Sequence, residues 1–211
     1  MSDHSTYAVI LAAGLSTRMG RTKQLLEIKE HPLLELVMRK VAAVPFEQIL
    51  VVVGHKADLI REQISLPDSR FKWVVNSSYQ LGQHTSFLKG IQLVPSESSV
   101  MFFLADQPFI EDKMIRNILE KGCQIAKERK MAIAVRPYYE NQPGHPVFLA
   151  HFQELRLVEE GSEAGGKSFI KQAEMFRLEV DESSVLFDID TPDDYEEALR
   201  VERYIGKRVS D

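Results

Sequence analysis

Residues 7–23 of the chain read YAVILAAGLSTRMGRTK and join an apolar run to a basic, glycine-containing segment. The run at 7–12 is continuous and of strand length, which is typical of a strand buried on both faces in a parallel sheet. Ligands of open α/β sheets bind in the crevice beyond the carboxyl ends of the strands. We therefore expect the basic segment, which follows the run, to line a ligand site.

Further apolar runs of strand length alternate with segments of helical periodicity. In the segment 32–44 the apolar residues recur at spacings of three and four, which marks one apolar face. This alternation predicts an α/β fold of Rossmann-like type, with a mostly parallel sheet flanked by helices. The predicted strands are 7–12, 48–53, 71–75, 100–104 and 131–135, and the predicted helices are 32–44, 56–64, 86–94 and 111–127.

The second half of the chain is less regular. Three prolines fall within 137–146, which predicts a long loop. Thr191-Pro192 followed by two aspartates is a helix start signal, because threonine caps N–H groups, proline fits the first helical position and acids favour the positive end of the helix dipole. The remaining predictions are helices at 151–158 and 167–173 around a turn at 161–166, strands at 175–180 and 185–189, and a closing helix at 192–205.

Composition narrows the class of protein. The 211 residues predict one domain, 1–211. The net charge of −5 argues against a nucleic-acid partner bound through a broad basic surface. A single cysteine, Cys123, excludes a disulfide framework and a multi-cysteine metal site. Since no apolar run reaches the length of a membrane span and residues 1–6 are polar, we expect a cytoplasmic protein without a membrane partner.

The basic segment has the make-up of a polyanion site. Its small residues let backbone N–H groups approach phosphate oxygens, and Arg18, Arg21 and Lys23 supply positive charge. Spacing excludes a Walker loop, because five residues rather than four separate Gly14 from Gly20. There is no G-x-G-x-x-G, and the G-x-S-x-G pattern fails at its last position. A surface turn with solvated cations is the alternative that the residues alone leave open.

The pattern L-A-A-G-x-S-x-R-M-G-x-x-K in residues 11–23 resembles the signature of the MobA-like nucleotidyltransferases. It is most similar to their molybdenum cofactor cytidylyltransferase branch, that of MocA- and PucB-like proteins. The resemblance covers about residues 7–200 and implies a fold like that of the nucleotide-diphospho-sugar transferases, in which this loop wraps the triphosphate of a nucleotide. The nucleotide-binding residues that it implies here are Leu11, Ala12, Ala13, Gly14, Ser16, Arg18 and Lys23, the last two as phosphate-contacting cations.

The resemblance also bears on which nucleotide base the protein prefers. Family members that use GTP carry two adjacent glycines after the strand, whereas Ala13 precedes Gly14 here, as in pyrimidine-nucleotide users, which favours CTP. Residues 82–90 match G-x-x-x-S-x-x-x-G, an element that lines the nucleotide site in this family. Gly82 then allows close backbone approach, and Ser86 donates to the base or ribose. These residues also fit a helix start, and both interpretations can hold together.

Carboxylates at strand ends predict a Mg²⁺ site. Asp106 follows the run at 100–104, and the A-D-Q-P tetrad around it resembles the family's metal-binding motif. Carboxylate oxygens are ligands that Mg²⁺ prefers, although a simple turn would also use these residue types. Asp188 and Asp190 share one face of an extended segment. The family pattern D-x-D-T-P-x-D matches there, and we favour Asp190 as the second ligand, with Asp188 or a solvated strand end as alternatives.

The acceptor site falls in the second half. The G-H-P-V stretch at 144–147 resembles one that cytidylyltransferase members place over the pterin side of the cleft, which implies His145 as an acceptor-binding residue. An incidental histidine in a proline-rich loop is the alternative. Residues 161–167 depart from the family's G-D-x-G-A-R run, with Ser162 for the aspartate and Lys167 for the arginine. Lysine keeps the charge but lacks the planar fork that binds phosphate, so this departure concerns the acceptor.

Together the sequence and the resemblance predict a Mg²⁺-dependent nucleotidyltransferase that moves CMP from CTP to the phosphate of molybdopterin and releases pyrophosphate. Its catalytic residues are Arg18, Lys23 and Asp106, with about 7–106 as the nucleotide-binding half and about 107–200 as the acceptor-binding half. The resemblance further implies a transient contact with a molybdoenzyme such as xanthine dehydrogenase, an enzyme of purine catabolism. Two alternatives remain: a sugar-1-phosphate or other small phosphate as acceptor, or a non-catalytic nucleotide-binding chaperone for molybdoenzyme maturation.

Overall fold

The computed structural model describes residues 5–155 and 165–208. The strands in these ranges are β1 (Thr6–Ala12), β2 (Glu27–Ile28), β3 (His31–Pro32), β4 (Ile49–Val53), β5 (Phe71–Val75), β6 (Ser99–Leu104), β7 (Ile133–Tyr139), β8 (Gln142–Pro143), β9 (Val147–Ala150) and β10 (Glu174–Glu179). The helices are α1 (Leu33–Ala42), α2 (Ala57–Gln63), α3 (Gln83–Ile91), α4 (Asp112–Glu128), α5 (Gly165–Ile170) and α6 (Pro192–Arg208). Short 3-10 helices cover Lys23–Leu25, Tyr79–Leu81, Phe152–Glu154 and Ser183–Leu186.

The main sheet has the strand order β10-β7-β9-β6-β1-β4-β5, with β8 beside β7. The strands β5, β4, β1 and β6 are parallel. Every residue of β4 is buried, and four of its five side chains are β-branched. Strand β9 runs antiparallel between β6 and β7, while β10 is parallel to β7. Because parallel strands end at the same edge, the segments that follow β1, β4, β5 and β6 meet there.

Helices cover both faces of the sheet. Helices α1, α2 and α4 pack on the face that carries Ile10 and Met101, and α3 and α5 pack on the face that carries Val9 and Phe102. A third apolar cluster joins α6 to the β2–β3 hairpin around Ile28. Burial of each large aliphatic side chain contributes about 1.5–3 kcal/mol, so these clusters hold the layers together.

The predicted fold class is confirmed: a mostly parallel sheet flanked by helices in a single domain. Four predicted strands are confirmed, since both ends of each lie within one residue of the ends of an observed strand: 7–12, 48–53, 71–75 and 100–104. The helix predicted at 192–205 corresponds to α6. Its start signal acts as expected, because the Asp194 N–H donates to Thr191 Oγ1 at 3.2 Å, and Asp194 Oδ2 accepts from the Thr191 N–H at 2.7 Å.

The loop predicted at 137–146 is wrong. Strand β7 runs on to Tyr139, turns at Glu140 and Asn141, which have positive φ, and returns as β8. Strand β9 then follows, and the sequence analysis did not predict it. Proline is tolerated in β8 because this two-residue strand lies off the main path of the sheet, where a missing N–H breaks no central ladder.

The strand predicted at 185–189 is also wrong. The segment begins in a 3-10 helix and then continues without regular structure, because its backbone binds loops instead of a strand. The carbonyl of Val185 accepts from the His145 N–H at 3.0 Å, and the Ile189 N–H donates to the carbonyl of Asp106 at 3.0 Å. The helix predicted at 151–158 is a 3-10 turn at its start, and the rest of it, with most of the turn at 161–166, lies outside the described residues.

No helix in residues 5–155 or 165–208 is both long enough and apolar enough to cross a membrane.

Candidate active site

The first loop (residues 13–23) follows β1 at the carboxyl edge of the sheet. Ser16 and Gly20 have positive φ, at 56° and 71°. Glycine adopts this conformation without steric strain, whereas Ser16 is held there by hydrogen bonds, since its carbonyl accepts from the N–H groups of Met19 at 3.1 Å and Gly20 at 3.2 Å. Residues 16–20 of the loop therefore form a defined turn.

The loop leaves a row of backbone donors open. In the described part of the chain, none of the N–H groups of residues 14–18 donates to a protein acceptor. Gly14 faces open space, because a Cβ built there would meet nothing within 4 Å. Leu11 and Ala12 belong to β1 and Ala13 is buried, so these residues offer backbone rather than side-chain groups. Open N–H groups beside cations form a concavity suited to an anion.

Two cations of the loop converge with carboxylates from distant segments. Lys23 Nζ lies 2.5 Å from Asp106 Oδ2 and 2.7 Å from Asp190 Oδ1. Arg18, whose side chain is 70% exposed, binds Asp190 Oδ2 at 2.9 Å. The structure thus brings together four residues that the sequence analysis selected, from the segments that follow β1 and β6 and from the segment that precedes α6.

The charges in this cluster stabilise one another. Burial opposes the charge of Lys23, but the neighbouring Asp106 and Asp190 outweigh it and raise its pKa above the ordinary value. Burial would raise the pKa of Asp190, but the hydrogen bond and charge of Lys23, with the charge of Arg18, hold it below its usual range. Lys23 and Asp190 are therefore both ionised at neutral pH.

Asp188 lies beside this cluster but has a different partner. Gln107, which is buried, donates from Nε2 to Asp188 Oδ1 at 2.6 Å and to the Val185 carbonyl at 3.2 Å. Loss of hydration, together with the negative charges of Asp106 and Asp190, raises the pKa of Asp188 to about 6. The two aspartates thus have separate contacts: Asp190 binds the cations of the first loop, and Asp188 binds a neutral amide.

The residues present fit a divalent cation of the Mg²⁺ type. Asp106 and Asp190 converge on one position, which the Lys23 ammonium occupies, and Asp106 Oδ1 is buried without a hydrogen-bond partner. Among the described residues, no group of three or more His, Cys, Asp or Glu is arranged to hold a metal. Mg²⁺ commonly uses one or two carboxylates together with substrate phosphates, so two convergent carboxylates suffice.

The element at 82–90 borders the same edge through its backbone. Gly82 has a φ of 113°, which favours glycine, and Gly90 allows α3 to approach β1, since a Cβ there would lie 2.5 Å from Val9 Cγ1. Ser86 is 3% exposed and accepts a hydrogen bond from Asn76 Nδ2 at 3.0 Å. Helix α3 begins before Ser86, so this residue does not start the helix, and its hydroxyl binds Asn76 from within it.

The second loop (residues 143–146) carries His145, which is partly buried. Gly144 packs directly on the 3-10 turn, because a Cβ there would lie 2.6 Å from the Val185 carbonyl oxygen. Arg136 of β7 donates to the carbonyl of Gly144 at 2.6 Å and to that of Pro143 at 3.3 Å. Burial lowers the pKa of Arg136 from its ordinary value. Most of the variant run at 161–167 lies outside the described residues.

Sequence reasoning missed four residues that hold these parts in place. They are Gln24 under the first loop, Gln107 beside Asp188, Asn76 beside Ser86 and Arg136 beside the second loop. Gln24, Gln107 and Asn76 lie in or beside a motif or directly after a strand, whereas Arg136 lies within β7. A polar side chain inside an otherwise apolar run, such as Arg136 in β7, was the available signal.

Comparison with known proteins identifies the family of the chain. The family model for the MobA-like NTP transferase domain matches residues 8–177. The molybdenum cofactor cytidylyltransferase of Escherichia coli (strain K12) is 24% identical over 188 residues, which cover 89% of this chain and 92% of that protein.

Solved structures show the same fold. The crystal structure of Rv0371c from Mycobacterium tuberculosis H37Rv superposes with a TM-score of 0.76 at 23% identity and covers 94% of this chain and 100% of that one. A complex of Rv0371c with manganese superposes with a TM-score of 0.68 at 23% identity, covering 93% and 98%. The match over most of the chain shows that the protein belongs to the MobA-like NTP transferase family, with the fold of the nucleotide-diphospho-sugar transferases.

Proposed function

We propose that the protein transfers CMP from CTP to the phosphate of molybdopterin, with release of pyrophosphate and with Mg²⁺ as cofactor. One observation carries the proposal: Arg18 and Lys23 meet Asp106 and Asp190 directly beside the open N–H groups of the first loop. This arrangement combines a polyphosphate cradle with a pair of carboxylates for a metal. A nucleotidyltransferase requires both.

The reaction requires no covalent protein intermediate. A phosphate oxygen of the acceptor attacks the α-phosphorus, the bond from that phosphorus to the bridging oxygen of the β-phosphate breaks, and pyrophosphate leaves with the bonding electrons. Catalysis is then positioning together with charge neutralisation. Arg18 and Lys23 offset charge on the β- and γ-phosphates, and the N–H groups of residues 14–18 donate to their oxygens.

Asp106 and Asp190 are the residues that hold the metal in this proposal. When bound, Mg²⁺ polarises phosphoryl oxygens and neutralises part of their charge. The ammonium of Lys23 then becomes available to the polyphosphate. The buried, unpartnered Oδ1 of Asp106 gives the site a ligand atom with no competing contact among the described residues.

The nucleotide and the acceptor are the finer parts of the proposal. Ala13 in place of a second glycine supports CTP, and the E. coli cytidylyltransferase similar to this chain supports molybdopterin. His145 lies in the acceptor-binding half, about residues 107–200, and is the proposed acceptor-binding residue. A transient contact with a molybdoenzyme such as xanthine dehydrogenase, in the cytoplasm, follows from this acceptor.

A pyrophosphate-release assay tests the proposal. The protein is incubated with Mg²⁺ and molybdopterin and with each of the four NTPs in turn. We expect release with CTP and its loss in Asp106→Ala and Asp190→Ala, whereas Asp188→Ala retains most activity. Release only when a sugar-1-phosphate replaces molybdopterin would overturn the acceptor. CTP binding without turnover under any condition would instead indicate a nucleotide-binding chaperone.

A further inference from the structure

Gln24 is a buried polar side chain to which the proposed reaction gives no role. It follows Lys23 in the chain and is only 2% exposed. Its amide nitrogen donates to the carbonyl oxygens of Ala12 at 2.8 Å and Gly14 at 3.2 Å, and its Oε1 accepts from Ser16 Oγ at 3.3 Å. Both sides of the amide therefore bind the end of β1 and the first loop.

Because the peptide bond is planar, these contacts also set the direction in which the N–H groups of the loop point. In a trans peptide, the C=O of one residue and the N–H of the next point in opposite directions. Gln24 draws the carbonyl of Gly14 towards the interior, so the N–H of Leu15 points towards the open side. The same relation connects the Ala12 carbonyl with the Ala13 N–H.

A second contact extends this control to Lys23. Ser16 Oγ donates to Gln24 and also accepts from the backbone N–H of Lys23 at 3.1 Å. The amide of Gln24 thus fixes the start of the segment that presents the Lys23 ammonium to Asp106. The donors and one cation of the loop depend on the same buried side chain.

The amide is suited to this position because it is neutral and has both kinds of group. A carboxylate would face two carbonyl oxygens and would lack a donor for either. An ammonium would have donors but no acceptor for the Ser16 hydroxyl. Methionine has a similar length and can make neither kind of bond at full strength, so it removes the contacts while it fills the space.

We propose that Gln24 is the positioning residue of the polyphosphate site: it holds the first loop with its N–H groups turned towards the phosphates of the bound nucleotide. The inference rests on the proposed function for one point only, the binding of a nucleoside triphosphate at this loop. It does not depend on the base or on the acceptor.

The primary test measures binding of inorganic tripolyphosphate by isothermal titration calorimetry. We expect Gln24→Met to bind about ten- to a hundredfold more weakly than the unaltered protein, because several donors lose their orientation. Gln63→Met, a glutamine-to-methionine change at the exposed end of α2, is the matched control and leaves the affinity unchanged. In turnover, Gln24→Met raises the KM for the nucleotide and leaves the KM for the acceptor unchanged.

A pH series with Gln24→Glu separates orientation from general damage to the fold. The protonated carboxyl group has an O–H donor for one carbonyl and an acceptor for Ser16, whereas the carboxylate repels both carbonyls. We expect the affinity of Gln24→Glu for tripolyphosphate, divided by that of the unaltered protein at each pH, to rise as the pH falls from 8 to 6. The division removes the titration of the ligand and of the other charged groups of the site.

The outcomes are distinguishable. Equal binding by Gln24→Met and the unaltered protein, or a pH-independent ratio for a folded Gln24→Glu, overturns this inference and leaves the proposed function intact. Absence of tripolyphosphate binding by the unaltered protein overturns the proposed function itself. If Gln24→Met fails to fold, as judged by circular dichroism, the Gln24→Glu series decides the question.

Discussion

The first and second loops are each held by one side chain that donates to two backbone carbonyls, but the two side chains differ in charge. Gln24 holds the first loop and is neutral and buried. Arg136 holds the second loop and is a cation with no carboxylate within ion-pair distance among the described residues. The first loop carries its own cations, whereas the second loop has none.

Under the proposed function each loop binds an anion, and the two loops differ in the source of the positive charge. In the first loop, charge comes from the loop's own side chains, and the supporting residue only sets the backbone. In the second loop, the supporting residue also brings the charge. Removal of a cation is therefore expected to act on the nucleotide in one loop and on the acceptor in the other.

The largest effect is expected from removal of the charge of the first loop. Lys23→Met removes a cation from the phosphates, and we expect kcat to fall on the order of a thousandfold, as for other groups that stabilise charge in a transition state. Pyrophosphate release measures it. Lys127→Met, at an exposed position in the last turn of α4, is the matched control and is expected to change kcat less than about threefold.

The second loop is tested by Arg136→Met. Loss of a charge-assisted hydrogen bond is expected to raise the KM for the acceptor about ten- to a hundredfold, while the KM for the nucleotide stays the same. Arg136→Lys restores the charge but not the fork that reaches two carbonyls, so it recovers only part of the loss. A change in the nucleotide KM of similar size would show that the two loops do not act separately.

Alanine substitution of one glycine in each loop compares how much each position contributes to the free energy of unfolding. Gly144→Ala places a Cβ 2.6 Å from the Val185 carbonyl oxygen and is expected to reduce the free energy of unfolding by about 1–3 kcal/mol. Gly14→Ala meets nothing within 4 Å and is expected to change it by less than about 0.5 kcal/mol. Urea unfolding measures both. A destabilisation by Gly14→Ala equal to that of Gly144→Ala contradicts the open position of Gly14.

The smallest effect concerns a third residue that binds two carbonyls. Arg70 donates to the carbonyls of Ala42 and Val44 but also binds Asp68, and its hydrogen bonds hold the pKa of Asp68 below the ordinary value. Because the pKa of Asp68 is lower in the folded state than in the unfolded state, the ion pair stabilises the fold at a pH above the unfolded-state pKa. The stabilisation is lost as the pH falls through the folded-state pKa. We expect Asp68→Asn to be less stable by about 0.5–1 kcal/mol at pH 7 and equal to the unaltered protein near pH 2. Constant destabilisation down to that pH would contradict the ion pair.

The sequence predicted most where local signals decide the structure. The strands of the first half are continuous apolar runs, and they form four adjacent parallel strands whose ends carry the first loop and Asp106. The second half depends on pairing between distant segments. Strand β9 has only four residues and is a strand because β6 and β7 flank it, and residues 185–189 fail as a strand because no neighbour pairs with them.

The candidate site divides in the same way. Arg18, Lys23 and Asp106 follow from a motif and a strand end, and the structure places them together with Asp190. Gln24 and Arg136 donate to backbone carbonyls. The sequence does not reveal which carbonyls lack a partner, because every residue has a carbonyl. Such supporting residues become visible only when the path of the chain is known.

The insertion of β9 also bears on how the chain reaches its native state. Strand β6 has β1 on one side and only β9 on the other, so residues 1–106 leave a bare strand edge until residues 147–150 arrive. An unpaired apolar strand edge is an aggregation hazard during synthesis. A fragment cut after Asp106 is therefore expected to expose this edge and to self-associate.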